Sequence, residues 1–227
     1  MRTIKTIGFI GLGAMGLPMA KRLVAAGFAV RSAVHRNRAA ADDFAAAGGV
    51  VAPDFAGAVK GADLVLSIVP DDAALLELYG DSGFFAAVGE GAAILEMTSC
   101  APGTMRKIAA DYSAKTKAVV DAPVSGGVAG AASGNLTIFA AGDPAVIDDL
   151  DPVLTVLGKT RRLPSAGDGK ALKAVNQMLA ALNMVAVAEA HALARKLGLD
   201  MDRMFEIVKE SSGGSYVFAN KFPKVSR

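Results

Sequence analysis

An apolar run, Thr6-Ile7-Gly8-Phe9-Ile10, passes directly into Gly11-Leu12-Gly13-Ala14-Met15-Gly16, and a helical pattern from Leu17 to Ala26 follows and stops at Gly27. This order predicts a strand, a glycine turn and a helix. A pyrophosphate needs each glycine of such a turn for a different reason. The first permits the tight turn, the second lets backbone approach the phosphates, and the third lets helix pack on strand. The helix N-terminus then offers free N–H groups and a positive dipole end. GxGxxG alone is a common turn; its place between strand and helix makes it a dinucleotide site.

Outward from that turn, β-rich runs alternate with helical ones. Strands are predicted at 4–10, 29–34, 64–68, 92–97, 118–120, 135–140 and 159–163, and helices at 38–47, 71–79, 104–115 and 144–157. Asp143 before Pro144 has the form of an N-cap followed by a first-turn proline. Such alternation implies an α/β fold, a Rossmann-type doubly wound sheet with helices on both faces. The pattern changes near Pro164. One long Ala-rich helical stretch runs from Lys170 to Leu197 and stops at Gly198, followed by one further predicted helix at 201–210. The expected division is a dinucleotide-binding domain over 1–163 and a helical C-terminal domain, partial, over 164–227.

Composition narrows the class. The 227 residues are 52% hydrophobic with a net charge of +2, so charge gives no pull toward nucleic acid. The single cysteine, Cys100, excludes an internal disulfide and points to a cytoplasmic setting. Cys100 is expected to be a small filler rather than a nucleophile, since no histidine or cysteine stands near it in sequence. His35 and His191 are the only histidines, and no metal-ligand spacing exists. The apolar stretch 178–188 is expected to be a buried helix, too short to span a bilayer, so no membrane partner is expected.

Three further stretches carry chemistry. After the second strand come Val34-His35-Arg36-Asn37-Arg38, with no acid until Asp42. An acidic residue there would hold the ribose hydroxyls of NAD; Arg36 and Arg38 suit a 2′-phosphate instead. The alternative is a solvated basic loop. Asp121-Ala122-Pro123-Val124-Ser125-Gly126-Gly127 follows a strand, and a serine hydroxyl beside two glycine N–H groups can hold a carboxylate. A plain glycine-rich turn fits the same residues. Finally, Lys173, Asn176 and Gln177 share one face at the start of the long helix, while Leu172, Val175, Leu179 and Leu182 share another. A lysine buried in such a patch has a lowered pKa and exchanges protons near neutrality. The alternative is an exposed amphipathic face, and Lys170 is expected to be exposed in that way.

Together these stretches resemble the β-hydroxyacid dehydrogenase family, which includes 3-hydroxyisobutyrate dehydrogenase and tartronate semialdehyde reductase. The matching segments are Gly8–Gly16, Val69-Pro70, Thr98-Ser99 with Pro102, Asp121–Gly127, and the Gly-x-Gly-x-x-x-Lys-x-x-Asn block ending at Asn176. The resemblance implies hydride transfer between NADP, or NAD, and a small β-hydroxy acid or semialdehyde. It implies a cofactor set of Gly11, Leu12, Gly13, Ala14, Met15, Gly16, His35, Arg36, Val69, Pro70, Thr98 and Ser99. Ser125, Gly126, Gly127, Asn176 and Gln177 would hold the substrate, and Lys173 would be the general acid/base. A homo-oligomer through the helical domain is implied as well. Family members continue beyond the position of Arg227, so low turnover and self-association are expected of these 227 residues. Two relatives fit less well. A 6-phosphogluconate dehydrogenase has a histidine–asparagine pair where Asn176-Gln177 stand, and imine reductases usually replace the lysine. The competing function is a non-catalytic nucleotide-binding or scaffold protein on the same fold, against which Lys173 argues.

Overall fold

A computed structural model describes residues 4–33 and 37–225; His35 and Arg36 lie outside the described residues. Contacts divide the chain into two compact units, 1–173 and 174–227.

The first unit is built on a nine-stranded sheet. Its strands are β1 (Thr6–Ile10), β2 (Ala29–Ala33), β3 (Val50–Ala52), β4 (Leu64–Ser67), β5 (Ala93–Glu96), β6 (Ala118–Asp121), β7 (Val124–Ser125), β8 (Leu136–Ala141) and β9 (Gly158–Leu163). The order β3-β2-β1-β4-β5-β6 is wholly parallel, and β8 then pairs antiparallel with β6 and β7 and parallel with β9. Between them run α1 (Gly16–Ala25), α2 (Arg38–Ala46), α3 (Phe55–Val59), α4 (Asp72–Gly80), α5 (Ser82–Ala87), α6 (Pro102–Tyr112), α7 (Gly127–Ser133), α8 (Pro144–Asp149) and α9 (Asp151–Leu157).

Strand side chains alternate between two cores, as a sheet covered on both faces requires. Ile7, Phe9, Leu64, Leu66 and Leu95 enter one with Met19, Leu23 and Leu154. Ile10, Val65 and Ile94 enter the other with Leu75, Tyr79 and Ile108. Aspartates start several helices, accepting N–H bonds from residues two or three further on: Asp54 from Gly57, Asp71 from Ala74, Asp81 from Phe84 and Asp143 from Ala145. The helix expected over 144–157 is two helices, α8 and α9. Pro152 sits in the first turn of α9 and cannot donate the bond that would continue α8.

The long helix is α10 (Asp168–Lys196), followed by α11 (Met201–Val208) and α12 (Tyr216–Val225). Two helices therefore follow Gly198, where the sequence suggests one. Phe218 and Phe222 of α12 pack with Val187 of α10 and with Met204 and Phe205 of α11. The rings of Phe205 and Phe222 stack at 5.8 Å. Each buried phenylalanine contributes roughly 1.5–3 kcal/mol. The remainder of α10 departs from the expected buried helix. Leu182 and Val185 are each 61% exposed, and Leu179, Leu193 and Leu197 are exposed as well. Two short helices cover only one stripe of a long helix that is apolar on several sides. Its 29 residues also make it long and apolar enough, by length and composition alone, to cross a membrane. The expectation that the stretch is too short for that does not hold.

Candidate active site

Parallel strands that end in register place their outgoing loops side by side. Ile10 pairs with Ser67, Ser67 with Glu96 and Glu96 with Asp121. The segments leaving β1, β4, β5 and β6 thus rise from one edge of the sheet, spaced about 4.8 Å from strand to strand. These segments carry Gly11–Met15, Val69-Pro70, Thr98-Ser99 and Ser125–Gly127. Ligands of open α/β sheets bind at this carboxyl edge.

The glycine turn has the expected division of labour. Gly11 has φ +108°, and a Cβ there would lie 2.0 Å from the Ile68 carbonyl oxygen. A Cβ at Gly16 would lie 1.8 Å from the Gly11 carbonyl oxygen, so the helix rests directly on the turn. Gly13 is different: nothing lies within 4 Å of a Cβ built on it. The close space at Gly11 and Gly16 is filled by this chain, and the open space at Gly13 is left for something else. Helix α1 has no side-chain cap, but Leu17 N–H and Met19 N–H bond the Gly13 and Met15 carbonyls at 3.0 and 3.5 Å, and Pro18 has no N–H to offer. The open approach to the backbone at Gly13 fits a pyrophosphate.

The neighbouring loops are tied together. Val69 N–H donates to Thr98 Oγ1 at 3.0 Å, and Thr98 N–H donates to Glu96 Oε1 at 2.8 Å. Thr98 is buried and Ser99 exposed, so only Ser99 of the pair offers its hydroxyl to solvent. Ser125 closes β7 against Thr137 and is half-buried. Gly126 (φ +134°) and Gly127 (φ +63°) turn the backbone into α7, whose start lacks a side-chain cap. Positive φ at two successive positions favours glycine, and this is the kind of backbone from which an anion-binding nest is built.

On α10, Lys173 is 8% exposed, and burial lowers its pKa below the usual lysine range. Asn176 is half-buried and donates to Gln177 Oε1 at 3.3 Å, with Gln177 exposed. Exposure thus rises along the helix from Lys173 through Asn176 to Gln177. Arg38 is exposed at the first position of α2, behind the Asn37 cap that accepts from Ala40 N–H at 3.2 Å. Cys100 behaves as a filler: burial first, and then nearby carboxylates against the opposing pull of Lys170, push its thiol up to about 12. It is not a thiolate at neutral pH.

Lys170 corrects the expectation most sharply. It is wholly buried, with its ammonium 2.5 Å from Glu96 Oε2 and 3.1 Å from Asp121 Oδ1, and it donates to the Glu96 carbonyl at 2.9 Å. Asp121 Oδ2 in turn accepts Gly167 N–H at 2.9 Å and Lys170 N–H at 3.1 Å, capping α10 from a distant strand. Burial alone would push the ammonium down; the Glu96 and Asp121 carboxylates more than reverse it and hold it above the lysine range. A Cβ at Gly169 would lie 2.6 Å from the Phe139 carbonyl oxygen and 2.9 Å from Asp121 Oδ2, so this close approach needs glycine. Glu96, Asp121 and Lys170 were absent from the site expected on sequence grounds. The available signal was the spacing of Lys170, one helical turn before Lys173.

A sheet of this order, with a glycine turn between β1 and α1, is a dinucleotide-binding domain of Rossmann type. Residues 6–187 match the family model for the NAD binding domain of 6-phosphogluconate dehydrogenase. Residues 167–227 match that for the NAD-binding region of NADP-dependent 3-hydroxyisobutyrate dehydrogenase. An NAD-dependent L-serine dehydrogenase of Pseudomonas aeruginosa is 38% identical over 226 residues, covering 98% of this chain and 76% of that protein. A 2-(hydroxymethyl)glutarate dehydrogenase of Eubacterium barkeri is 38% identical over 223 residues, covering 96% of this chain and 73% of that protein. Among solved structures, a Mycobacterium tuberculosis 3-hydroxyisobutyrate dehydrogenase with L-serine has TM-score 0.86 and 33% identity, covering 97% of this chain and 75% of that one. The chain belongs to the β-hydroxyacid dehydrogenase family, whose members here are NAD(P)-dependent oxidoreductases.

Proposed function

We propose that the protein interconverts a small β-hydroxy acid and its semialdehyde, with Lys173 as the group that takes and returns the hydroxyl proton. The observation that carries this reading is a buried lysine of lowered pKa, borne on the helix that leaves the carboxyl edge of the sheet. A bound nicotinamide supplies or accepts the hydride. The chain's own residues do the rest. The Gly11–Gly16 turn holds the pyrophosphate, and Val69, Pro70, Thr98 and Ser99 hold the nicotinamide half. Ser125 with Gly126 and Gly127 takes the substrate carboxylate, and Asn176 and Gln177 orient the substrate. Relatives named for serine and 2-(hydroxymethyl)glutarate support a carboxylate-bearing substrate.

The test is NAD(P)H-dependent turnover with a panel of three- to five-carbon semialdehydes and hydroxy acids, in the protein and in Ser125→Ala. Loss of a hydrogen bond to a charged group costs about 1.5–3 kcal/mol, a rise in substrate KM of roughly 10- to 150-fold. Cofactor affinity should hold. If Ser125→Ala weakens NADPH binding and leaves substrate KM unchanged, the serine serves the cofactor instead.

NADP is the expected cofactor in preference to NAD. Arg38 is exposed at the start of α2, and no carboxylate intervenes before Asp42. A guanidinium on a 2′-phosphate makes a charge-assisted pair. Titration of both reduced cofactors, in the protein and in Arg36→Ala and Arg38→Ala, should show tighter NADPH binding that at least one substitution abolishes. Equal affinities for the two cofactors would refute the preference.

A further inference from the structure

Lys170 has no part in the chemistry proposed above, yet it is among the largest fully buried side chains of the described residues. Burying an ammonium with two carboxylates is poor economy if stability is the only end. Apolar side chains of similar volume often fill such a space at equal or lower free energy. The better-attested use of a buried ionic cluster is to fix one register among several packings. The three residues here belong to segments far apart in sequence. Glu96 ends β5, Asp121 ends β6, and Lys170 lies in the first turn of α10.

The contacts of these groups form one unbroken chain. Val69 N–H bonds Thr98 Oγ1, and Thr98 N–H bonds Glu96 Oε1. Glu96 Oε2 and Asp121 Oδ1 meet the Lys170 ammonium, and Asp121 Oδ2 takes two N–H groups at the start of α10. The chain begins at the loop assigned to the nicotinamide and ends one helical turn before the lysine assigned to the proton. A shift of α10 along its axis would break the contacts of both carboxylates at once.

We propose that Lys170 is a positioning residue for hydride transfer: it locks the first turn of α10 to the ends of β5 and β6, so that Lys173 and the Thr98-Ser99 turn share one fixed geometry. This rests on the dehydrogenase reading given above. Lys170 touches neither hydride nor proton; it acts through Lys173 and Thr98. The proposal concerns this chain's own Lys170, on a helix turn where an uncharged residue would satisfy the backbone equally well.

The experiment uses Lys170→Met and the double variant Lys170→Met/Glu96→Gln. The single variant leaves two buried carboxylates without their cation and is expected to lose stability. The double variant restores the parent's net charge of one negative at the cluster, with the remaining Asp121 carboxylate still accepting two N–H groups at the start of α10. The carboxamide oxygen that Glu96→Gln introduces can still accept from Thr98 N–H, and Asp121 still caps α10. The expected result for the double variant is a melting temperature and NADPH affinity near those of the parent, with kcat lower by about 10²-fold, the cost typical of an ångström's misplacement. Substrate KM should move little. Amide exchange should quicken at 97–101 and 167–173 in the folded protein. Parental kcat in the double variant would overturn the proposal, as would a defect confined to melting temperature. Equal losses in kcat and NADPH affinity would overturn it too, since those mark general damage to the fold. The parent's own turnover separates the two claims. An inactive parent removes the dehydrogenase reading and the catalytic part of this one, while amide exchange still reports whether Lys170 ties the segments together; unchanged exchange would remove that as well.

Discussion

Replacing Lys173 with alanine is expected to lower kcat by about 10²- to 10⁴-fold, the range for losing a general acid/base, while NADPH binding stays at the parental level. The turn proposed for the pyrophosphate follows β1, and the open space at Gly13 is not formed by this side chain. Lys173→Arg separates charge from proton transfer. An arginine keeps the cation but cannot release a proton at working pH, so it should fail in hydroxy-acid oxidation as alanine does. The pH profile follows from the direction of the shift. Burial lowers the lysine's pKa. Oxidation needs the neutral amine, so its rate should rise with pH through that pKa; reduction needs the ammonium, so its rate should fall through it. Both limbs should lie below about pH 10.4, the ordinary lysine value. Measuring kcat/KM against pH in both directions checks this. Near-parental turnover of Lys173→Ala would end the assignment.

What was legible in the sequence was local. Strand β1, the glycine turn and α1 could be read because apolar period, turn glycines and helix start all agree over residues 6–26. The Asp143-Pro144 start could be read because cap and first-turn proline are adjacent. Boundaries failed where a short element depends on a neighbour. Strand β7 is two residues long and exists only as a partner of β8. Helix α12 contains Pro223 and follows Gly213-Gly214, which read as breakers; its stability comes from Phe218 and Phe222 meeting Phe205. Lys170 failed for the same reason on a larger scale. On its own helix it is a lysine beside Asp168 in an opening turn, the usual composition of a solvated face. Its burial is set by Glu96 and Asp121, 74 and 49 residues away. The burial of Lys173 was legible because a lysine followed by Asn176 interrupts an apolar pattern, which is a signal within one helix.

The largest loss of stability is expected from Asp121→Ala. One carboxylate here serves three donors: the Lys170 ammonium at 3.1 Å, Gly167 N–H at 2.9 Å and Lys170 N–H at 3.1 Å. Alanine removes the cap of α10 and half of the counter-charge around a fully buried cation. Breaking one side of a buried ion pair costs about 3–5 kcal/mol, against a total near 5–15 kcal/mol for a folded domain. For a chain of this size that is a fall of roughly 6–20 °C in melting temperature. The pH dependence has a definite sign. Lys170 is held above the ordinary lysine range, so its contribution is complete below about pH 10.4 and is lost as pH rises through its folded-state value. The deficit of Asp121→Ala should therefore be present across neutral pH and shrink only in alkali, as the parent loses the same contribution. Asp121→Asn keeps one acceptor for the helix N–H groups and should fall between the two. Urea denaturation of all three proteins at neutral and alkaline pH measures this. An Asp121→Ala protein within about 1 kcal/mol of the parent, the size of an ordinary point substitution, would show that the cluster sets register without holding the fold together.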